Sequence, residues 1–201
     1  MFWHAGRRSG RRGLVLQEEG FQMTVSSSPQ TRADAITAQL VKAGTSIAAS
    51  LPDSWLGAVI ESVDREQSIR HLRVAREDDG AAICAGAALA GQRSALICQN
   101  SGLLLSVNGL AGYALHHQLP FLALAVARGE HDDGYFYQTY KGQVTAAVLD
   151  AVGIPYHRLT GRDDDEIIAE AMHQAWLYRR PVVVLCSRRS LLGEAPGYEA
   201  Q

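Results

Sequence analysis

The sequence predicts an α/β fold, a three-layer parallel sheet with helices on both faces. Apolar runs of strand length, "TSIAASL" at 45–51, "SALICQN" at 94–100, "LPFLALAVA" at 119–127 and "PVVVLCS" at 181–187, lack the polar alternation of a strand with one face in water. Amphipathic helical stripes separate them in regular alternation, the pattern of parallel strands joined by crossover helices. With 201 residues, 47% of them hydrophobic and 20% charged, the chain can bury the core of one domain.

Each element follows from its own residues. "TRADAITAQLVKAG" places Ile36, Leu40 and Val41 on a helical stripe closed by Gly44. After the first strand, Pro52 with the capping-type Asp53 and Ser54 opens a second helix, "PDSWLGAVIESVDRE". "SIRHLRVA" is a strand, and "DGAAICAGAALAG" is a helix of small residues preceded by three acids, Glu77, Asp78 and Asp79. "LLLSVNGLAGYALHH" reads as helix, "RGEHDDGYFYQTYKG" at 128–142 as a polar, aromatic loop, and "QVTAAVLDAVG" as helix. "IPYHRL" is a short strand, and "RDDDEIIAEAMHQAWLYRR" is a helix with an acidic first turn. Residues 1–30 are expected to be a disordered or mis-assigned leader, since Met23 before "TVSSSPQ" is a plausible start and "GLVL" is too short for a secretory apolar core. The domain spans 31–187, and 188–201 is expected to be a tail.

Bulk chemistry excludes several classes. The net charge of -2 argues against a nucleic-acid or anionic-membrane surface, and no apolar run is long enough for a bilayer span. Cys84, Cys98 and Cys186 are odd in number and form no C-x-x-C pair, so neither a disulfide framework nor a zinc site is indicated and a cytoplasmic setting is expected. No G-x-G-x-x-G follows the first strand, no phosphate-binding P-loop occurs, and Ser101 lacks the context of a nucleophilic elbow. His116 and His117 are adjacent, so a helix points them apart, and no metal ligands are assigned.

In such sheets ligands bind beyond the carboxyl ends of the strands. "LPDS" at 51–54, "AREDD" at 75–79 and "QNSG" at 99–102 lie there. Acids at a helix start are also ordinary, because the free N–H groups of the first turn favour negative charge. The loop holding His131, Asp132 and Asp133 follows the most apolar strand and is placed for a substrate contact.

Three stretches, "REDDGAAICAGAALAG", "ICQNSGLLLSVNGLAGYALHHQLPFLALAVARG" and "LDAVGIPYHRL", together resemble the pyrimidine-binding (PYR) domain of thiamine-diphosphate enzymes. Within that superfamily the chain is most similar to sulfopyruvate decarboxylase alpha subunits and the amino-terminal half of phosphonopyruvate decarboxylases, which carry a turn like "LPDSWL". The resemblance covers about 31–187. It implies that Glu77 is the glutamate that binds the aminopyrimidine ring nitrogen of thiamine diphosphate and carries its proton. Asp78 and Asp79 are then capping or interface acids. It implies that Gln99, Asn100, Ser101 and Gly102 pack near the cofactor, that Asp53 and Ser54 meet the substrate, that Asp53 or His131 supplies a proton, and that Lys141 reaches the substrate anion.

Leu104 and Leu105 depart from the family, where many relatives have Gly-Asn, and the Gly-Asp-Gly motif with its distant Asn for diphosphate and Mg2+ is missing. The resemblance therefore implies a heteromer: a beta subunit holds the diphosphate and Mg2+, thiamine diphosphate is shared between chains, and the PYR domains self-associate. The implied reaction is decarboxylation of a small anionic 2-oxoacid, 3-sulfopyruvate first, with phosphonopyruvate or a plain 2-oxoacid as alternatives. A non-catalytic scaffold subunit that kept the fold is the rival from another class.

Overall fold

A computed structural model of the chain describes residues 28–161 and 164–193. Most of the expected leader and the segment 194–201 lie outside the described residues, as do two residues ahead of the last long helix. The order of elements is α1 (Pro29–Lys42), β1 (Thr45–Ser50), α2 (Gly57–Arg65), β2 (Arg70–Arg73), α3 (Glu77–Leu89) and β3 (Arg93–Gln99). Then come α4 (Asn100–Leu105), α5 (Val107–Gly109), a π-helical stretch (Leu110–Leu115), β4 (Leu122–Val126) and a 3-10 turn (Phe136–Gln138). α6 (Thr139–Val152), β5 (Tyr156–Leu159), α7 (Glu166–Tyr178), β6 (Val182–Cys186) and α8 (Arg188–Leu192) complete it.

The six strands form one sheet in the order β2-β1-β3-β4-β6-β5, and every pairing is parallel. Successive residues of a strand point to opposite faces, and here both faces are dry. Leu122, Leu124 and Val126 of β4 meet Ile36 and Leu40 of α1, Val59 of α2, and Ile168 and Met172 of α7 in one core. Phe121, Ala123 and Ala125 share the other with Cys84 and Ala85 of α3, Leu103 of α4 and Leu149 of α6. The predicted three-layer architecture is therefore the observed one.

Local differences have physical causes. α1 begins at Pro29, two residues earlier than expected, because Ser28 caps it through a bond from the Thr31 amide and proline suits the first helical position. The expected tail begins as α8, capped by Ser187, whose side chain accepts from the Ser190 amide at 3.1 Å. Arg32 fixes α8 and α7 to α1: its Nε donates to the Ser190 carbonyl at 2.9 Å and its Nη1 to Asp165 at 2.8 Å. The long helix expected after β3 is broken at Ser106, whose hydroxyl donates back to the Gly102 carbonyl at 2.8 Å. α6 starts inside the expected loop, at Thr139, and takes in Gly142, which lies against the backbone of Gly129, where any side chain would collide.

Candidate active site

The chain passes from β1 outward to β2 and then returns to β3 on the other side of β1, so the loops after these strands diverge and leave a crevice at the carboxyl edge. Polar side chains from four loops close it.

Asp53 sits in the turn after β1 with its side chain 4% exposed. Its Oδ1 accepts from the Trp55 amide at 2.8 Å, an Asx turn that launches α2. Its Oδ2 accepts from Gln99 Nε2 at 2.7 Å and from Arg128 Nη1 at 3.3 Å. Ser101 donates to Gln99 Oε1, so one hydrogen-bonded chain runs Ser101, Gln99, Asp53. Arg128 Nη1 also lies 3.3 Å from the Ser54 hydroxyl.

Arg128, just past β4, is the centre of this group and is 4% exposed. Asp133 receives its Nε at 3.0 and 3.1 Å and its Nη2 at 3.0 Å, and also accepts from the Gly129 amide at 2.6 Å. The guanidinium lies over Trp55, 4.2 Å from the ring centroid, with Tyr135 at 5.6 Å. A buried cation is thus met by two buried carboxylates and an aromatic face, the compensation that burial of charge requires.

Glu77 opens α3, half-buried. Its carboxyl group lies on the bare Cα of Gly102, where an added Cβ would overlap Glu77 Cγ, Cδ and Oε1. A glycine at the first turn of α4 is therefore what lets this carboxylate lie between the two helices. Asp78 turns away to pair with Arg76 at 2.9 Å, which holds its carboxyl below the usual range, and Asp79 is exposed. The Cys98 thiol is pushed up by burial, with the charges of Glu77 and Asp53 acting in the same direction. Cys84 is pushed up to about 12 by burial, so neither is a ready thiolate.

Asp53, Ser54, Gln99 and Ser101 thus come together, and Glu77 meets Gly102. Asn100 is fully buried: its Nδ2 donates to the Arg128 carbonyl at 2.9 Å and to Thr145 Oγ1 at 3.1 Å, while its Oδ1 has no partner among the described residues. Lys141 is tied within its own turn, donating to Gln138 Oε1 at 2.8 Å, and His131 stands exposed on the loop after β4. Sequence reasoning did not single out Arg128 or Trp55; an arginine directly after a wholly apolar strand, five residues before an aspartate, is the signal that was there to read. Among the described residues no group of three or more His, Cys, Asp or Glu side chains is set to hold a metal ion. No helix among them is long and apolar enough to cross a membrane.

No protein-family model matches the chain. It is 37% identical over 124 residues to the sulfopyruvate decarboxylase subunit alpha of Methanothermobacter thermautotrophicus, covering 61% of this chain and 74% of that one. Identity is 29% over 153 residues to the subunit alpha of Methanococcus maripaludis, covering 76% and 92%. To the phosphonopyruvate decarboxylase of Streptomyces viridochromogenes it is 29% over 148 residues, covering 72% of this chain and 37% of the relative. A 2-oxoglutarate:ferredoxin oxidoreductase from Magnetococcus marinus shares the fold, with a TM-score of 0.61 and 18% identity over 80% of this chain and 29% of that one. With the extent and identity of the Methanothermobacter match on the same six-stranded parallel fold, the chain belongs to the family of sulfopyruvate decarboxylase alpha subunits.

Proposed function

We propose that this chain is the alpha subunit of a thiamine-diphosphate-dependent 2-oxoacid decarboxylase that converts 3-sulfopyruvate and a proton to sulfoacetaldehyde and CO2. The observation that carries the proposal is the half-buried Glu77 carboxyl seated on Gly102 at the carboxyl edge. It fits a carboxyl group that exchanges a proton with a ring nitrogen, which must be fixed in place and shielded from bulk water. The cradle is suited to an aminopyrimidine, with Glu77 holding the ring nitrogen and the 99–102 turn forming its wall. When bound, thiamine diphosphate supplies the electron sink that decarboxylation of a 2-oxoacid requires.

The remaining roles belong to this chain's own side chains. Glu77 holds and returns a proton at its carboxyl oxygen. Asp53, engaged at both oxygens, fixes Gln99 and the Ser101 hydroxyl beside Gly102 and so keeps the wall of the cradle in one arrangement. Of the two proton donors that the family resemblance offers, His131 is exposed on the loop after β4, and Asp53 is bonded at both oxygens. Lys141 directly follows the exposed Tyr140, and its ammonium, which donates to Gln138, has further N–H donors for an anionic substrate.

Diphosphate and Mg2+ fall to a separate beta subunit that carries the Gly-Asp-Gly motif. The names of the alpha-subunit relatives support such a partner. So does the surface: Tyr135, Phe136, Tyr137 and Tyr140 are 46%, 89%, 59% and 72% exposed beside the Arg128 group, and Leu89 and Leu105 are exposed on α3 and α4. Self-association through the PYR domain is part of the same proposal.

The test is decarboxylation by the chain co-expressed with a partner bearing the diphosphate motif, with thiamine diphosphate and Mg2+ added. 3-Sulfopyruvate, phosphonopyruvate and pyruvate are compared. The wild type is expected to prefer 3-sulfopyruvate, and Glu77→Gln to lose at least about 100-fold in kcat while still assembling. Gly102→Ala should show a comparable loss with Glu77 intact, because the added methyl group displaces its carboxyl. An assembled, cofactor-loaded complex that turns over no 2-oxoacid rejects the proposal in favour of a scaffold role.

A further inference from the structure

β4 and β6 lie side by side in register, with Val126 opposite Cys186, and each leaves the sheet with an arginine two residues later, Arg128 and Arg188. Trp55, 5% exposed, lies against both: Arg128 Cζ is 4.2 Å and Arg188 Cζ 5.7 Å from its ring centroid. The two cations differ in their compensation. Arg128 is matched by Asp53 and Asp133. The Arg188 Nη1 is buried and has no hydrogen-bond partner among the described residues. The acid beside it is Asp132, whose Oδ2 accepts from the Arg189 amide at 3.4 Å and whose Oδ1 is likewise buried and unpartnered, so this carboxylate is held short of Arg188.

A guanidinium presents its donors as a rigid planar fork, and a buried donor left unsatisfied is costly unless something arrives to accept from it. The aromatic platform fixes the fork without using its N–H groups.

We propose that Arg188, seated on Trp55 at the carboxyl end of β6, receives the remote anionic group of the substrate, a tetrahedral sulfonate. This rests on the decarboxylase reading above. The assignment to the sulfonate rather than the carboxylate follows from the chemistry. The carboxylate must give up its charge as CO2, so a strong cationic partner there would stabilise the ground state over the transition state. The sulfonate keeps its charge throughout, and its three oxygens suit a forked donor.

Two measurements decide it. In calorimetric titration, the full wild-type chain is expected to bind 3-sulfopropionate, a non-reacting dianion, at least about tenfold more tightly than propionate. Arg188→Gln should reduce that preference to within about twofold, and Arg189→Gln, on the adjacent exposed arginine, should retain it. In the assembled complex, Arg188→Gln should lower the ratio of kcat/KM for 3-sulfopyruvate over pyruvate at least about tenfold, mainly through KM. A wild type that binds 3-sulfopropionate no more tightly than propionate, or a folded Arg188→Gln that keeps the wild-type preference, overturns the subsite. A wild-type complex that binds the dianion through Arg188 but decarboxylates nothing overturns the decarboxylase reading instead.

Discussion

Where the strands begin, the connections entering β1, β3, β4, β5 and β6 pass through a left-handed residue: Gly44, Gly91, Gln118, Gly153 and Arg179, with φ of 74°, 71°, 55°, 72° and 54°. Where they end, the turns from β1 to α2, β2 to α3 and β3 to α4 contain no left-handed residue, and side chains set their shape: Asp53 turns onto Trp55, Glu77 lies on Gly102, and Gln99 bonds Asp53. One edge of the sheet is closed by backbone geometry that many sequences can supply. The other also has left-handed glycines, Gly129 and Gly134 in the loop after β4, but it depends besides on particular polar side chains satisfying one another, and it is there that chemistry is available. The contrast predicts that the carboxyl edge is energetically concentrated and the opposite edge diffuse.

The largest effect should come from Arg128→Ala. It leaves Asp53 and Asp133 buried without their cation, with side chains only 4% and 1% exposed. Removing one partner of a buried ion pair costs about 3–5 kcal/mol. Urea unfolding of the full chain measures this. A loss below about 1 kcal/mol, the range of surface pairs, would break the comparison by showing that water replaces the guanidinium easily.

The uneven legibility of the two edges has the same origin. The sheet and its parallel direction could be read because β3, β4 and β6 are apolar on both faces, a property of each strand taken alone. Glu77 could be read through its local motif. Arg128 could not, because its meaning lies in Asp53, 75 residues away, and in a tryptophan on the turn after β1. Gly142 misled in the opposite way: it resembles a loop glycine but belongs to α6, where the close approach of Gly129 excludes a side chain. Periodicity reports what a segment buries, whereas the carboxyl edge is defined by which distant groups pair.

At the opposite edge, smaller effects of both signs are expected. An added Cβ at Gly153 meets nothing within 4 Å, so Gly153→Ala should cost only the left-handed backbone penalty, about 1–2 kcal/mol. Arg179 already bears that penalty and is exposed. Arg179→Gly should therefore stabilise the chain by about 0.5–1 kcal/mol, once the extra freedom of glycine in the unfolded chain is deducted. Thermal unfolding of the two variants beside the wild type checks both signs. If Arg179→Gly destabilises the chain, this edge also depends on its side chains.

The connection from α2 to β2 is the exception that sharpens the contrast, because it enters a strand without a left-handed residue. Carboxylates shape it instead. Asp64 accepts from His71 and Arg73, and Glu66 Oε1 accepts from the Ser68 amide at 2.9 Å and the Ser68 hydroxyl at 2.7 Å. The His71 hydrogen bond chiefly holds the Asp64 carboxyl below its usual range, and the Ser68 amide does the same for Glu66. A carboxyl depressed in the folded state contributes stability above its unfolded pKa, about 4, and loses that contribution as the pH falls through the lower folded value. This connection should therefore loosen in acid while the glycine-capped ones do not. Both carboxylates are substantially exposed, so solvent screening keeps the effect the smallest of the set. Urea unfolding from pH 6 down to about pH 3 should show a stability slope that Asp64→Asn reduces, with the variant already less stable than wild type at pH 6. An unchanged slope would place the acid sensitivity in other carboxylates and leave backbone geometry as sufficient for this turn as well.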